Sequence, residues 1–275
     1  MAAIKMGTVW DRTLDVIRGR MAILAGIALA TVYVPGLLGP AYAAVTGQPA
    51  DAGAVQGVIG IVSAVLTMIG VLAMTAVATD PAVDGAQGLR LGAARLGPAL
   101  ANLIVLVIAF GVLFLPSIVA LFAAGATVGV AGKVDVTGAS DGLLMVSALL
   151  MIVALIVLLW FSARLVPLFA VIVNERRGLG AIPRSFALAR GSALRLLGVI
   201  ILFGIVLLVV MAAVGSVSGV IARLLLGGEA EAMVTLVVSL FVTLVTAAGT
   251  VVQTVFYAQF YAAALARDEA AAQLA

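Results

Sequence analysis

The chain of 275 residues contains no cysteine and no histidine. The first absence excludes disulfides, thiolate nucleophiles and sulfur metal sites, and the second excludes imidazole as acid, base or ligand. Charge is scarce as well. Only 10% of residues are charged against 65% hydrophobic, and the mean hydropathy is +1.32, whereas a globular domain carries about a quarter charged residues. Such a chain cannot cover its apolar surface in water. No polar connection approaches the ~50 residues a soluble domain needs. No glycine-rich phosphate loop follows a strand, and no carboxylates cluster inside apolar runs to bind cations. No cofactor, metal or nucleic-acid partner is expected. An intramembrane enzyme has little support, because the remaining nucleophiles are Ser, Thr and Tyr without an evident base.

What the chain has instead is long uncharged runs, such as Met21 to Ala50 and Gly97 to Gly132. Each exceeds the roughly 20 residues that cross a hydrocarbon core. The expected fold is an all-α polytopic transmembrane bundle of six spans, near 21–45, 54–79, 98–124, 143–173, 194–222 and 232–262. Residues 1–275 then form one integral membrane domain. The sequence "AYA" at 41–43 resembles a signal cleavage site, but the leader is long and contains Asp11 and Asp15, so the run is expected to stay as a true span.

Lysine and arginine divide unevenly between the two sides of these spans. One side holds Lys5, Arg12, Arg18, Arg20, Arg90, Arg95, Arg164, Arg176, Arg177, Arg184, Arg190, Arg195 and Arg267; the other holds only Lys133 and Arg223. Thirteen against two predicts cytoplasmic N and C termini by the positive-inside rule. Arginine supplies 13 of the 15 basic residues. With the heavy Ala and Gly usage, that choice suggests a GC-rich bacterial genome and hence the inner membrane.

The cytoplasmic arginines recur in a phrase. "RTLDVIRG" at 12–19 and "RSFALARG" at 184–191 keep Arg, a hydroxyl residue, a large apolar residue, Arg and Gly at equal offsets. A shift of 172 superposes Ile182, Phe186, Ala189 and Ala193 on Trp10, Leu14, Ile17 and Met21, and that spacing lies on one helical face. A weaker third copy superposes Gly85, Ala86, Ala94 and Arg95 on Gly180, Ala181, Ala189 and Arg190, with Gln87 and Pro98 at two apolar positions. These copies predict three parallel repeats, about 6–79, 82–173 and 181–265, each an interfacial helix followed by a helical hairpin. Arg12, Arg18, Arg95, Arg184, Arg190 and Arg195 are then candidate contacts to anionic lipid headgroups. They equally suit a purely topological role.

Two features lie deeper. Thr235, Ser239, Thr243, Thr246, Thr250, Gln253, Tyr257 and Tyr261 draw one polar stripe along the sixth span, which fits either back-bonded, packed hydroxyls or a lined polar cavity. Arg164 sits within "LLWFSARLVPLFAVIV". It either snorkels to the interface or forms an anion site at a break made by Pro167. Kinks are expected at Pro35 and Pro116. "GSVSG" at 215–219 has small-xxx-small spacing suited to close helix packing, and Asn102 reads as a local hydrogen-bonding residue.

The stretch 164–202 carries Arg164, Pro167, Ala181, Arg184, Ser185, Phe186, Leu188, Arg190 and Gly191. In this order they resemble the membrane-domain family named after glycerophosphoryl diester phosphodiesterases. The tail "YAQFYAAALARDE" resembles that family's closing segment more loosely, with extra residues between Tyr257 and Arg267. The resemblance implies a polytopic bacterial membrane protein. Fused members carry a soluble metal-dependent phosphodiesterase domain using histidines and carboxylates, and this chain has no such domain, so that activity is not expected here. Two functions are in view: a non-catalytic protein that binds anionic phospholipid, or a membrane or cytoplasmic protein partner, through its basic helices; and a transporter or flippase-like protein using the stripe of the sixth span.

Overall fold

The computed structural model describes residues 4–47, 53–128, 134–227 and 230–273. Ten α-helices and one two-residue hairpin are found among them. Six helical stretches are long and apolar enough to cross a membrane: Met6–Thr46, Ala54–Thr79, Leu96–Ala123, Asp141–Asn174, Ala193–Leu226 and Glu231–Ala270. The chain is an all-α, multi-pass membrane bundle.

The first stretch combines the expected interfacial helix and first span without a loop. Helix α1 (Met6–Ala28) passes through a π turn at Leu29–Tyr33 into α2 (Val34–Thr46). The boundary between helix and span survives as one non-helical residue, Arg20 (φ −128°, ψ 20°). The π turn sits directly before Pro35, whose ring and missing N–H disturb the preceding turn. Helix α3 (Ala54–Thr79) returns, and the short α4 (Gly85–Ala94) leads into α5 (Leu96–Ala123). Helix α5 runs through Pro116 without interruption. Next to that proline, the Ser117 hydroxyl donates to the Ser147 carbonyl and the Ser147 hydroxyl donates back to the Ser117 carbonyl, at 3.1 and 2.9 Å. This reciprocal pair ties α5 to α6.

Strands β1 (Thr127–Val128) and β2 (Val134–Asp135) pair antiparallel in the third connection; Lys133 lies outside the described residues. Asp135 accepts from the hydroxyl and N–H of Thr137, which lower its pKa below the usual carboxylate value. Helix α6 (Asp141–Leu165) then stops at Val166 and Pro167, and α7 (Leu168–Asn174) continues the fourth span. Helix α8 (Ala181–Leu188), α9 (Ala193–Leu226) and α10 (Glu231–Gln273) complete the chain. Helix α10 is 43 residues long and extends well past the expected end of the sixth span near 262.

Helix α10 is the axis of the bundle, packing against α1, α2, α3, α7, α8 and α9. The fully buried large side chains gather at the arginine-rich end: Leu24, Leu72, Met74, Ile172, Leu188, Leu196 and Phe260. Toward the other end the helices present exposed Leu, Val and Ile, densest on α5, α6 and α9. That surface suits acyl chains. Between lipid-bathed helices burial of apolar area gives little net drive, so close contact relies on small residues. A Cβ added to Gly70 would collide with Thr31 Oγ1, and one added to Gly36 would lie 2.8 Å from Thr243 Cγ2. Gly215 and Gly219 likewise face Val242 and Val238 of α10, so "GSVSG" mediates packing within the chain.

Candidate functional site

The arginine-rich end is built on three short basic segments, and each is fastened differently. In α1 the side turned inward carries Val9 and Thr13, whose hydroxyl donates to the Val9 carbonyl at 2.8 Å. The face expected from periodicity points elsewhere, with Trp10 41% and Met21 61% exposed. Both sides of this helix are therefore apolar, one toward protein and one outward. In α8 the residues at the same offsets as Val9 and Thr13, Ala181 and Ser185, are likewise wholly buried, whereas Ile182 and Phe186 of the periodic face are half-buried. The middle segment, α4, is capped by Asp84, whose Oδ1 accepts from the Gln87 N–H at 2.8 Å. Its glycines press on α3. A Cβ on Gly92 would meet the Ile69 carbonyl oxygen at 2.5 Å, and one on Gly88 the Val77 Cγ2 at 2.9 Å. Its poor apolar face is explained by backbone contact with a neighbouring helix.

Of the seven candidate arginines, two act inside the fold. Arg184 Nε lies 3.1 Å from Glu175 Oε1 and its Nη1 lies 3.4 Å from Asp268 Oδ2. Arg177 Nε approaches Glu175 Oε2 at 2.9 Å, and the Tyr261 hydroxyl donates to Glu175 Oε1 at 3.4 Å. Arg267 pairs with Asp268 and donates to the carbonyls of Leu188 and Arg190, both at 3.1 Å. This knot binds the end of α10 to the α7–α8 turn and to the end of α8. Arg176 adopts a left-handed conformation (φ 54°) in that turn, which reverses the chain between the Glu175 and Arg177 side chains. Arg195 is the other internal participant, its Nη1 donating to the Ile4 carbonyl at 3.3 Å while the residue stays exposed.

The rest of the candidates have no protein anion. Arg12, Arg18 and Arg190 are exposed, and among the described residues their side chains make no hydrogen bond or ion pair. Arg95 is half-buried with an unpartnered Nε. The Arg164 guanidinium stacks 4.2 Å from the Trp160 ring centroid and 5.8 Å from that of Phe186. Its Nε is buried without a partner, and no acidic group pairs with it among the described residues. A planar guanidinium stacked on aromatic faces keeps its Nη donors free for an acceptor at its edge.

The polar stripe of α10 bonds mostly to its own backbone. Ser239, Thr246 and Thr250 donate to the carbonyls of Thr235, Val242 and Thr246 at 2.7, 2.9 and 2.8 Å. Gln253 Nε2 donates to the Tyr257 hydroxyl at 2.7 Å. Three cavities touch the stripe: one of about 430 Å³ beside Arg223, Thr235 and Ser239, one of about 180 Å³ among Thr75, Thr250, Gln253, Thr254 and Tyr257, and an apolar groove of about 450 Å³ that reaches Gln253 and Tyr257. Thr243 lines none of them and packs against Gly36 instead.

Three anchoring residues escape sequence reasoning. Arg20 Nη1 donates to the carbonyls of Val77 and, at 3.0 Å, Asp80, and its Nη2 to that of Pro81. Gln259 Nε2 donates to the Ala78 carbonyl at 2.8 Å. Together they satisfy carbonyls that the end of α3 leaves without intrahelical partners. Asn102 does more than bond locally, since its Nδ2 donates both to the Pro98 carbonyl and, at 3.0 Å, to that of Gly178 across the bundle. In Arg20 the only signal was a third arginine directly before the first span. Compared with known proteins, the chain matches no family model, no curated protein and no solved structure.

Proposed function

We propose that this protein is a non-catalytic module of the bacterial inner membrane that binds anionic phospholipid headgroups through its cytoplasmic end. The observation that carries the reading is the division of labour among its arginines. Arg184 and Arg267 have carboxylate partners. Arg12, Arg18, Arg164 and Arg190 have none among the described residues. A cation near a membrane surface gains roughly 1 kcal/mol from anionic lipid, and a phosphodiester offers the acceptors that these guanidinium groups lack. The three basic segments serve as copies of one headgroup-binding unit, with both termini in the cytoplasm. The likeness of 164–202 to the membrane domain of glycerophosphoryl diester phosphodiesterases belongs to the same reading, which leaves the hydrolytic activity aside.

Support also comes from the sixth span, where hydroxyls bonded to their own helix and a stripe interrupted at Thr243 favour packing over transport. The test is the lipid content of gently extracted protein, read by native mass spectrometry. Adducts with the mass of phosphatidylglycerol or cardiolipin are expected on the wild type and are expected to become fewer when Arg12, Arg18 and Arg190 become Gln. Adducts unchanged by that triple substitution in a folded protein would contradict the headgroup reading.

A further inference from the structure

An apolar groove of about 450 Å³ opens between the start of α1, the first turns of α9 and the middle of α10. Its walls include Met6, Trp10, Val199, Phe203, Phe256 and Tyr257, and the Trp10 ring lies 6.1 Å from that of Phe256. The volume falls within the roughly 300–1,000 Å³ typical of small-ligand sites. The polar groups of Gln253 and Tyr257 on the floor bond to each other at 2.7 Å. The groove thus asks nothing polar of its occupant, and an apolar space of this kind does not hold ordered water.

Its cytoplasmic rim is charged. Lys5, exposed, directly precedes Met6, and Arg195, also exposed, lies one helical turn before Val199. The hydrogen bond from Arg195 Nη1 to the Ile4 carbonyl at 3.3 Å places the two cations at the same corner. A guanidinium has five N–H donors, so this single bond leaves most of them for another acceptor. The neighbouring acidic pairs of the knot involve Glu175 and Asp268, and neither pairs with Lys5 or Arg195.

We infer that this groove is a specific site for one anionic diacyl phospholipid of the cytoplasmic leaflet. One acyl chain lies between Trp10 and the α9–α10 wall, and the phosphate sits between Lys5 and Arg195. The inference rests on the headgroup reading and deepens it by naming a site whose cations differ from Arg12, Arg18 and Arg190. An apolar wall alone would accept any chain. The cationic rim selects the anionic diacyl lipid over a zwitterionic one, and Trp10 at its edge is the kind of amphipathic ring that settles at the headgroup level.

The experiment uses the full chain in detergent micelles with phosphatidylglycerol carrying a photoactivatable diazirine in one acyl chain, followed by peptide mapping. Labelling is expected to concentrate in 199–206 and 252–257, and Val206→Trp, which fills the groove from an exposed position, is expected to displace it. Replacing Lys5 and Arg195 together by Gln is expected to lower the preference for phosphatidylglycerol over an equally labelled phosphatidylcholine by roughly thirtyfold. Label spread evenly over the exposed faces of α5 and α6 would overturn the inference, and that outcome is read on the wild type, so it does not depend on any variant folding. Equal labelling of the groove by phosphatidylcholine, or by a free fatty acid of the same length, would overturn it too. If the groove fails in either way while adducts still become fewer with the loss of Arg12, Arg18 and Arg190, only the site is wrong. If no anionic preference exists anywhere, the headgroup reading falls with it.

Discussion

Arginine does three jobs in this chain, and its partners decide which. Arg20 closes the end of α3, so Arg20→Gln should remove charge-assisted hydrogen bonds to Val77, Asp80 and Pro81. A loss of about 2 kcal/mol is expected, read as a lower melting temperature of the purified protein, with Arg18→Gln as the exposed control. Glu175 holds Arg177, Arg184 and the Tyr261 hydroxyl. Its side chain is 17% exposed, too buried for solvent to replace the lost partner fully. Glu175→Gln should cost about 1–2 kcal/mol after allowance for screening and should raise protease cleavage in the turn at 175–180. Unchanged cleavage would mean that the knot does not hold the turn. None of these pairings was legible in the sequence, because Arg184 meets its carboxylates 9 and 84 residues away. A basic residue read alone looks the same whether it faces lipid or an acid.

At the scale of elements, the six spans were legible because a lipid solvent demands about 20 apolar residues per crossing, and nothing else in the chain meets that length. The first amphipathic segment runs directly into its span, as its place just ahead of the apolar run leads one to expect. No proline or glycine pair separates Gly19 from Met21, and only the dihedral angles of Arg20 mark the joint. Helix α1 buries Val9 and Thr13 while Trp10 and Met21 of its periodic apolar face stay exposed, as suits a helix lying between core and lipid. For α4 the missing apolar residues were themselves the signal, because glycine replaces side-chain packing with backbone contact. This yields a contrast. Gly92→Ala drives a methyl against the Ile69 carbonyl, a rigid backbone atom at 2.5 Å, and should destabilise by about 1–3 kcal/mol. Gly249→Ala meets the flexible tip of Leu207 at 2.9 Å and should fall at or below the bottom of that range. Equal melting temperatures for the two variants would disprove this account of α3–α4 packing.

The whole molecule has a packed, charged end and a loosely packed, apolar end. That polarity is the structural counterpart of thirteen cations against two, and it makes the orientation testable in a chain that lacks cysteine. Thr137→Cys in the third connection should react with a membrane-impermeant thiol reagent on intact cells, and Leu179→Cys in the α7–α8 turn should react only after permeabilisation. The reverse pattern would invert the topology and place the arginines away from the anionic leaflet. The central claim is that the unpaired arginines bind anionic lipid, and it is tested most directly by a competition in micelles containing equal phosphatidylglycerol and phosphatidylcholine. The bound ratio is measured for the wild type and for a variant with Lys5, Arg12, Arg18, Arg164, Arg190 and Arg195 all replaced by Gln. The account predicts a wild-type ratio well above one that collapses toward one in the variant; a ratio near one in the wild type, or one that survives all six substitutions, would contradict it.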